Sequence, residues 1–279
     1  MGISGYNYPS WRGNFYPAEV RARDWLRLAA RVFNSIELNG TFYSLKSPAV
    51  FARWVDETPD AFVFAVKGSR FITHNLKLAR AETALANFWA SGVLALGRKT
   101  GPFLWQLPAT YRYDPARVEG FLKLLPRNSA EGEALARQHD DRLKRGALTV
   151  ARDAVTYRHA FEVRHPSYFQ RELYDLLRAY QCAFVIADTA GKFGSADEVT
   201  ADFVYVRLHG SRVLYASGYS DEELAEWARR VGDWTAPPPD GRGLDVYVYF
   251  DNDAWGHAPH DARRLADRIG ARPGLGAVG

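Results

Sequence analysis

Along this chain, short apolar runs end in charged or amide side chains, and each gives way to a stretch with apolar residues at helical spacing. Gly2 to Tyr6 is a first strand too short to read alone. The later runs close on Glu37 and Asn39, Lys67, Gln106, Glu162, Asp188, Arg207 with His209, and Asp251 with Asn252. Strands alternating with helices imply parallel pairing and right-handed crossovers. Eight such units in 279 residues fit a closed (β/α)8 TIM barrel, whose usual size this is. No glycine-rich phosphate fingerprint follows the first strand, which argues against an open dinucleotide-binding sheet. The fold class expected is therefore α/β, a TIM barrel forming one domain over 1–279.

Local signals place the helices. Trp25, Leu28, Ala29 and Val32 form one core-facing stripe, and Leu173, Leu176, Leu177 and Tyr180 another. Ser47 before Pro48, Asp114 before Pro115, and Ser220 with Glu223 three residues on read as helix starts, the last as a capping box. The rhythm breaks over 126–158, a polar stretch about twice the usual connection length. It reads as a helical insertion between strands 4 and 5, with a helix over Glu131 to Arg145, placed where it would reshape access to the barrel mouth. Tyr8 to Pro17 is crowded with aromatics and reads either as one wall of a pocket or as a plug.

In this fold the site lies at the carboxyl ends of the strands, so the closing residues converge. Glu37 and Glu162 are paired carboxylates from strands 2 and 5, suited to moving protons or, across a sugar ring, to glycoside cleavage. His165 and His209 are candidate acid–base groups because imidazole titrates nearest neutrality. Lys67, Arg164 and Arg207 suit an anion, which guanidinium grips in bidentate fashion and lysine meets as a point charge. A desolvated Lys67 also fits Schiff-base chemistry. Asn39, Gln106, Asn252, Tyr6 and Trp11 complete the expected substrate-binding set. Loss of Arg207 is expected to abolish anion binding while leaving the fold intact.

Two alternatives stand beside this reading. Glu162, Asp188, His209 and Asp251 form an oxygen–nitrogen set for a divalent metal in a hydrolase or isomerase, although Arg164 and Arg207 beside them would repel the ion. The other is a non-catalytic nucleic-acid binder. With 36 basic and 32 acidic residues the net charge is +4 and the pI about 9.1, which permits such contact without demanding it. Cys182, the one cysteine, sits in an apolar strand with no visible activator. No apolar run approaches the roughly 18 residues of a membrane span, and no basic-then-apolar leader opens the chain, so a cytoplasmic protein is the expectation.

Several blocks resemble the YecE-like domain-of-unknown-function family. They are Gly2-Ile3-Ser4-Gly5-Tyr6, Tyr8-Pro9-Ser10-Trp11, Phe33 to Asn39, Phe64-Ala65-Val66-Lys67, Gln106-Leu107-Pro108, Phe161 to His165, Tyr205 to Gly210 and Tyr249 to Asp253. The resemblance implies a TIM barrel and marks Glu37, Asn39, Lys67, Gln106, Glu162, Arg164, His165, Arg207, His209 and Asn252, but it brings no reaction with it. The chain departs at Tyr6, where tryptophan is usual, and over 126–158. The leading expectation is an enzyme, a hydrolase, lyase or isomerase. It would act without cofactor or metal on a small phosphorylated or carboxylated substrate.

Overall fold

The computed structural model describes residues 1–144, 146–239 and 241–271. Its strands are β1 (Gly2–Ser4), β2 (Ser35–Leu38), β3 (Val63–Lys67), β4 (Thr100–Gln106), β5 (His159–Glu162), β6 (Cys182–Asp188), β7 (Phe203–Leu208) and β8 (Asp245–Phe250). Each pairs in parallel with the next, and β1 closes on β8, so the protein is the expected (β/α)8 barrel. The helices are α1 (Trp25–Val32), α2 (Gly40–Tyr43), α3 (Pro48–Asp56), α4 (Glu82–Ala90), α5 (Pro115–Leu124), α6 (Ser129–Ala136), α7 (Arg171–Ala179), α8 (Asp221–Thr235) and α9 (Ala258–Arg268). Among the described residues no helix links β6 to β7. There 189–202 runs irregularly, and Thr200 pins it to the edge of β6, its hydroxyl bonding Phe184 N at 2.7 Å and Cys182 O at 2.6 Å.

Strand alternation divides the side chains between two cores. Outward-facing residues pack under the helices in the larger cluster. The barrel's inside is filled by Ala65, Leu104, Ala160, Ala183, Val185, Ala187, Phe203, Tyr205 and Tyr249. Small side chains on β5 and β6 leave room for the two tyrosines on β7 and β8, whose rings lie 5.2 Å apart. One inward position further along every strand but β6, where Ala187 lies level with Arg207, the filling turns polar: Ser4, Glu37, Lys67, Gln106, Glu162, Arg207 and Asp251. The site is the last layer of the barrel core.

Several elements differ from expectation. The inserted helix is α6 alone, about half the length expected, and Arg145 lies outside the described residues. It stops where Asn87 of α4 captures Asp140 through two bonds of 2.9 and 3.0 Å. The chain then runs beside α4, with Leu148 N bonding Ala90 O at 2.8 Å, to reach Asp153 at the Arg98 backbone. That is the amino end of the barrel, so the insertion does not shape the mouth. Trp11 and Tyr16 are fully buried, and Tyr16 stacks on Trp25 of α1 at 4.7 Å, so that part of the aromatic loop is a plug. Ser47 occupies the cap position of α3 but makes no cap hydrogen bond, whereas Ser220 and Glu223 form the full capping box of α8.

Candidate active site at the carboxyl end of the barrel

The layer is organised around Arg207, which has no exposed surface. Its Nε and Nη2 donate to the two oxygens of Glu37 at 3.1 and 2.8 Å. Its Nη1 donates to Glu162 Oε2 at 2.8 Å, and Nη2 also reaches Asp251 Oδ2 at 2.9 Å and Ser4 Oγ at 3.0 Å. Glu37 accepts further bonds from Ser4 Oγ at 2.5 Å and from Tyr205 at 2.6 Å. Arg164 closes on Glu162 Oε1 through Nε at 3.0 Å and stacks over Phe193. Such a network holds its charges in place because every buried charge has an opposite partner. Burial alone would push Glu162 and Asp251 up. The Arg207 guanidinium, with Arg164 and His209 adding to it at Glu162, outweighs that and holds both carboxyls well below the usual carboxylate range.

His209 lies fully buried above this hub. Its Nδ1 is 2.9 Å from Asp251 Oδ2 but is not aligned for a hydrogen bond, and its Nε2 is 3.8 Å from Glu162. Tyr215 covers it edge-on, the ring centroids 5.2 Å apart. Next to Asp251, the Asp253 carboxyl is pushed well above its ordinary range, by burial first and then by the Asp251 charge. A like charge beside it disfavours the ionised form of this carboxyl.

Lys67 stands apart. Among the described residues its Nζ makes no hydrogen bond or ion pair, and it sits 4.6 Å over the Phe42 ring. Burial, with Arg207 adding to it, lowers its pKa to about 8. The loop after β3 forms a single π-type turn, Phe71–Asn75, that brings His74 edge-on to the same Phe42 ring, 5.1 Å away. Such turns recur at functional sites. The His74 pKa falls to about 4, through burial first and then through Lys67, Arg70 and Arg164.

Other expected site residues lie elsewhere. Arg207 is enclosed by its acceptors, so a ligand does not meet it, and Trp11 is inside the plug. Asp188 follows the inward Ala187 and points out of the barrel, accepting from Ala190 N at 3.2 Å. His165 also points outward and caps the turn Pro166–Tyr168, its Nδ1 accepting from Ser167 N at 3.1 Å. Asn252, fully buried, ties Ser217 O and Asp261 together and so joins the loops after β7 and β8. Asn39 donates to Ser4 Oγ at 2.8 Å, and Gln106 is buried beside Glu162 in register. Tyr6 accepts from Trp54 Nε1 and lines a cleft of about 500 Å³ beside the mouth, with Tyr8, Asn39, Tyr43 and Arg53. A larger cleft, about 750 Å³, opens at the opposite end among Arg127, Arg158 and Asp202, away from all these groups.

The proposed metal set does not assemble. Asp188 faces away, while Glu162 and Asp251 direct oxygens at Arg207. Among the described residues no three His, Cys, Asp or Glu side chains are placed to hold an ion. Ser4, Tyr8, Phe42, His74, Tyr205, Tyr215 and Asp253 belong to the mouth and had no role in the sequence reading. Ser4 and Tyr205 follow from the same inward alternation as their neighbours. Phe42 sits on the single turn of α2 and the others on loops and turns, where no sustained periodicity marks direction.

A family model described as "Protein of unknown function DUF72" matches residues 1–276. UPF0759 protein YecE of Escherichia coli strain K12 is 30% identical over 156 residues, 53% of this chain and 46% of that protein, and its counterpart in strain O157:H7 matches equally. The chain thus spans about half the length of the curated relatives it matches. A DUF72 family crystal structure from Thermotoga maritima superposes with a TM-score of 0.75 at 24% identity, covering 96% of this chain and 98% of that one. One from Enterococcus faecalis gives 0.70 at 17%, covering 96% and 94%. These two likenesses concern the fold. The match over 1–276 makes the chain a member of the DUF72 family.

Proposed function

We propose that this DUF72 family member is an enzyme that carries out metal-independent acid–base chemistry on a small anionic polar substrate, phosphorylated or carboxylated, at the carboxyl-end mouth of its barrel. One observation carries the reading. Lys67 Nζ and the His74 ring meet on the Phe42 ring, 4.6 and 5.1 Å from its centre, and among the described residues Lys67 Nζ makes no hydrogen bond or ion pair. That corner of the mouth is short of negative charge, and an anion supplies it. Arg164 has Nη1 uncommitted among the described residues and is held by Glu162 in a fixed direction, the preorganised fork that carboxylate and phosphate favour.

The division of labour follows from burial. Glu37 and Glu162 are locked to Arg207 and set the field. Proton transfer falls to Lys67, whose pKa of about 8 lies nearest neutrality, with neutral His74 as an acceptor and Asp253, raised by burial, as a donor. Calorimetric titration with inorganic phosphate and with a small dicarboxylate tests the reading. Saturable binding that Arg164→Gln weakens about tenfold or more, the worth of a charge-assisted hydrogen bond, is the expected result. Binding that ignores this substitution, or no binding of either probe, defeats it.

A further inference from the structure

We propose that Lys67 is a covalent nucleophile, and that the substrate of this mouth is an aldehyde or ketone carrying an anionic group, held as an imine on Nζ. The inference rests on the anion reading above and narrows it to carbonyl compounds such as 2-oxo acids and keto phosphates.

The geometry distinguishes Lys67 from every other cation in the layer. Arg207 takes Glu37, Glu162 and Asp251, and Arg164 takes the remaining oxygen of Glu162. The guanidinium groups thus consume the carboxylates, and the one amine is left over, seated on the Phe42 ring. Burial of that amine would be a plain cost if charge were its only task, because a third guanidinium or an ion pair would serve better. An amine with no anionic partner sheds its proton more easily than one held in an ion pair, and the neutral form is the one that attacks. Its pKa near 8 makes that form available close to neutrality.

The chemistry balances without an oxidant or a cofactor. Neutral Nζ adds to the carbonyl carbon, and a nitrogen proton is relayed to the oxygen to give the carbinolamine. The second nitrogen proton then departs with that oxygen as water, leaving the imine. Protonated by an acid of the mouth, the imine carries a positive charge where the ammonium stood. There the Glu37, Asp251 and Glu162 charges that favour a cation on Lys67 favour it too. The iminium draws electrons from the adjacent C–C or C–H bond, the opening step of lyases and isomerases that act on such substrates.

The full chain is incubated at about pH 8 with pyruvate or with dihydroxyacetone phosphate and reduced with sodium borohydride, then subjected to intact mass measurement and peptide mapping. The expected result is one reduced adduct per chain, on Lys67, with at least one probe, suppressed by excess inorganic phosphate. Lys67→Arg should form none while still binding phosphate. Phosphate binding with no adduct on wild-type protein overturns the imine and leaves the anion reading standing. An adduct spread over surface lysines also overturns it. An adduct on Lys67 that phosphate does not suppress upholds the nucleophile and sinks the anion reading beneath it.

Discussion

Arg207 and Lys67 stand in the same polar layer and bear opposite relations to stability. Arg207→Met would leave the Glu37, Glu162 and Asp251 charges facing one another without their common partner. Breaking a buried pair from one side costs about 3–5 kcal/mol, so urea denaturation should show a loss of that order. The expectation from sequence was the opposite, a fold left intact by the loss of Arg207. A loss under about 1 kcal/mol, the worth of an exposed pair, would show that the hub is not built as described. Lys67→Met should act the other way. With a folded pKa near 8 against an ordinary 10.5, the folded state binds fewer protons than the unfolded state between those values. Its charged form therefore costs stability at pH 7, and the cost fades as pH rises toward 10.5. The variant should gain on the order of 1 kcal/mol at pH 7 and nothing near pH 10.5, a trade of stability for function common at active sites. Unfolding midpoints that move the same way at both pH values would contradict this. The residues of the layer were legible because inward positions recur with a period of two. Asp188, Asn252 and His165 were misplaced for the same reason: each is one step from an inward residue, and one step reverses the face.

At the scale of elements, two similar cap signals behaved differently. Ser220 is followed at the third position by Glu223, and both bonds of the box form, at 3.2 and 2.7 Å. Ser47 is followed by Pro48, and its hydroxyl bonds nothing on α3. Ser220→Ala should cost about 1 kcal/mol, while Ser47→Ala should leave the urea midpoint unchanged. Equal losses would mean that position, not the hydrogen bond, sets the contribution. The insertion was legible as a break in rhythm but not in its length. What ends α6 is Asn87 on α4, more than 40 residues earlier in sequence, as the 53-residue separation of its bond to Asp140 shows. No local pattern carries such information. Gly5 is a comparable case: its φ of +85° and the Tyr8 hydroxyl 2.7 Å from where a Cβ would stand fix glycine there, and only the folded loop shows why.

For the whole molecule, repetition made the barrel readable. Eight strand-to-helix units are an unusual constraint on a chain of this length, and one unit lacking its helix did not obscure them. Repetition also fixed which end of the barrel holds the site, and the insertion lies at the other end. The mouth's chemistry was less legible, because it depends on which carboxylates the arginines claim and which cation they leave free. The most direct test is phosphate calorimetry at about pH 8 in two buffers of different ionisation enthalpy. Binding at the Lys67–Arg164–His74 corner must favour the protonated form of Lys67, so saturable binding with uptake of a fraction of one proton is predicted. Absence of saturable binding, or binding with no proton uptake, would contradict the account.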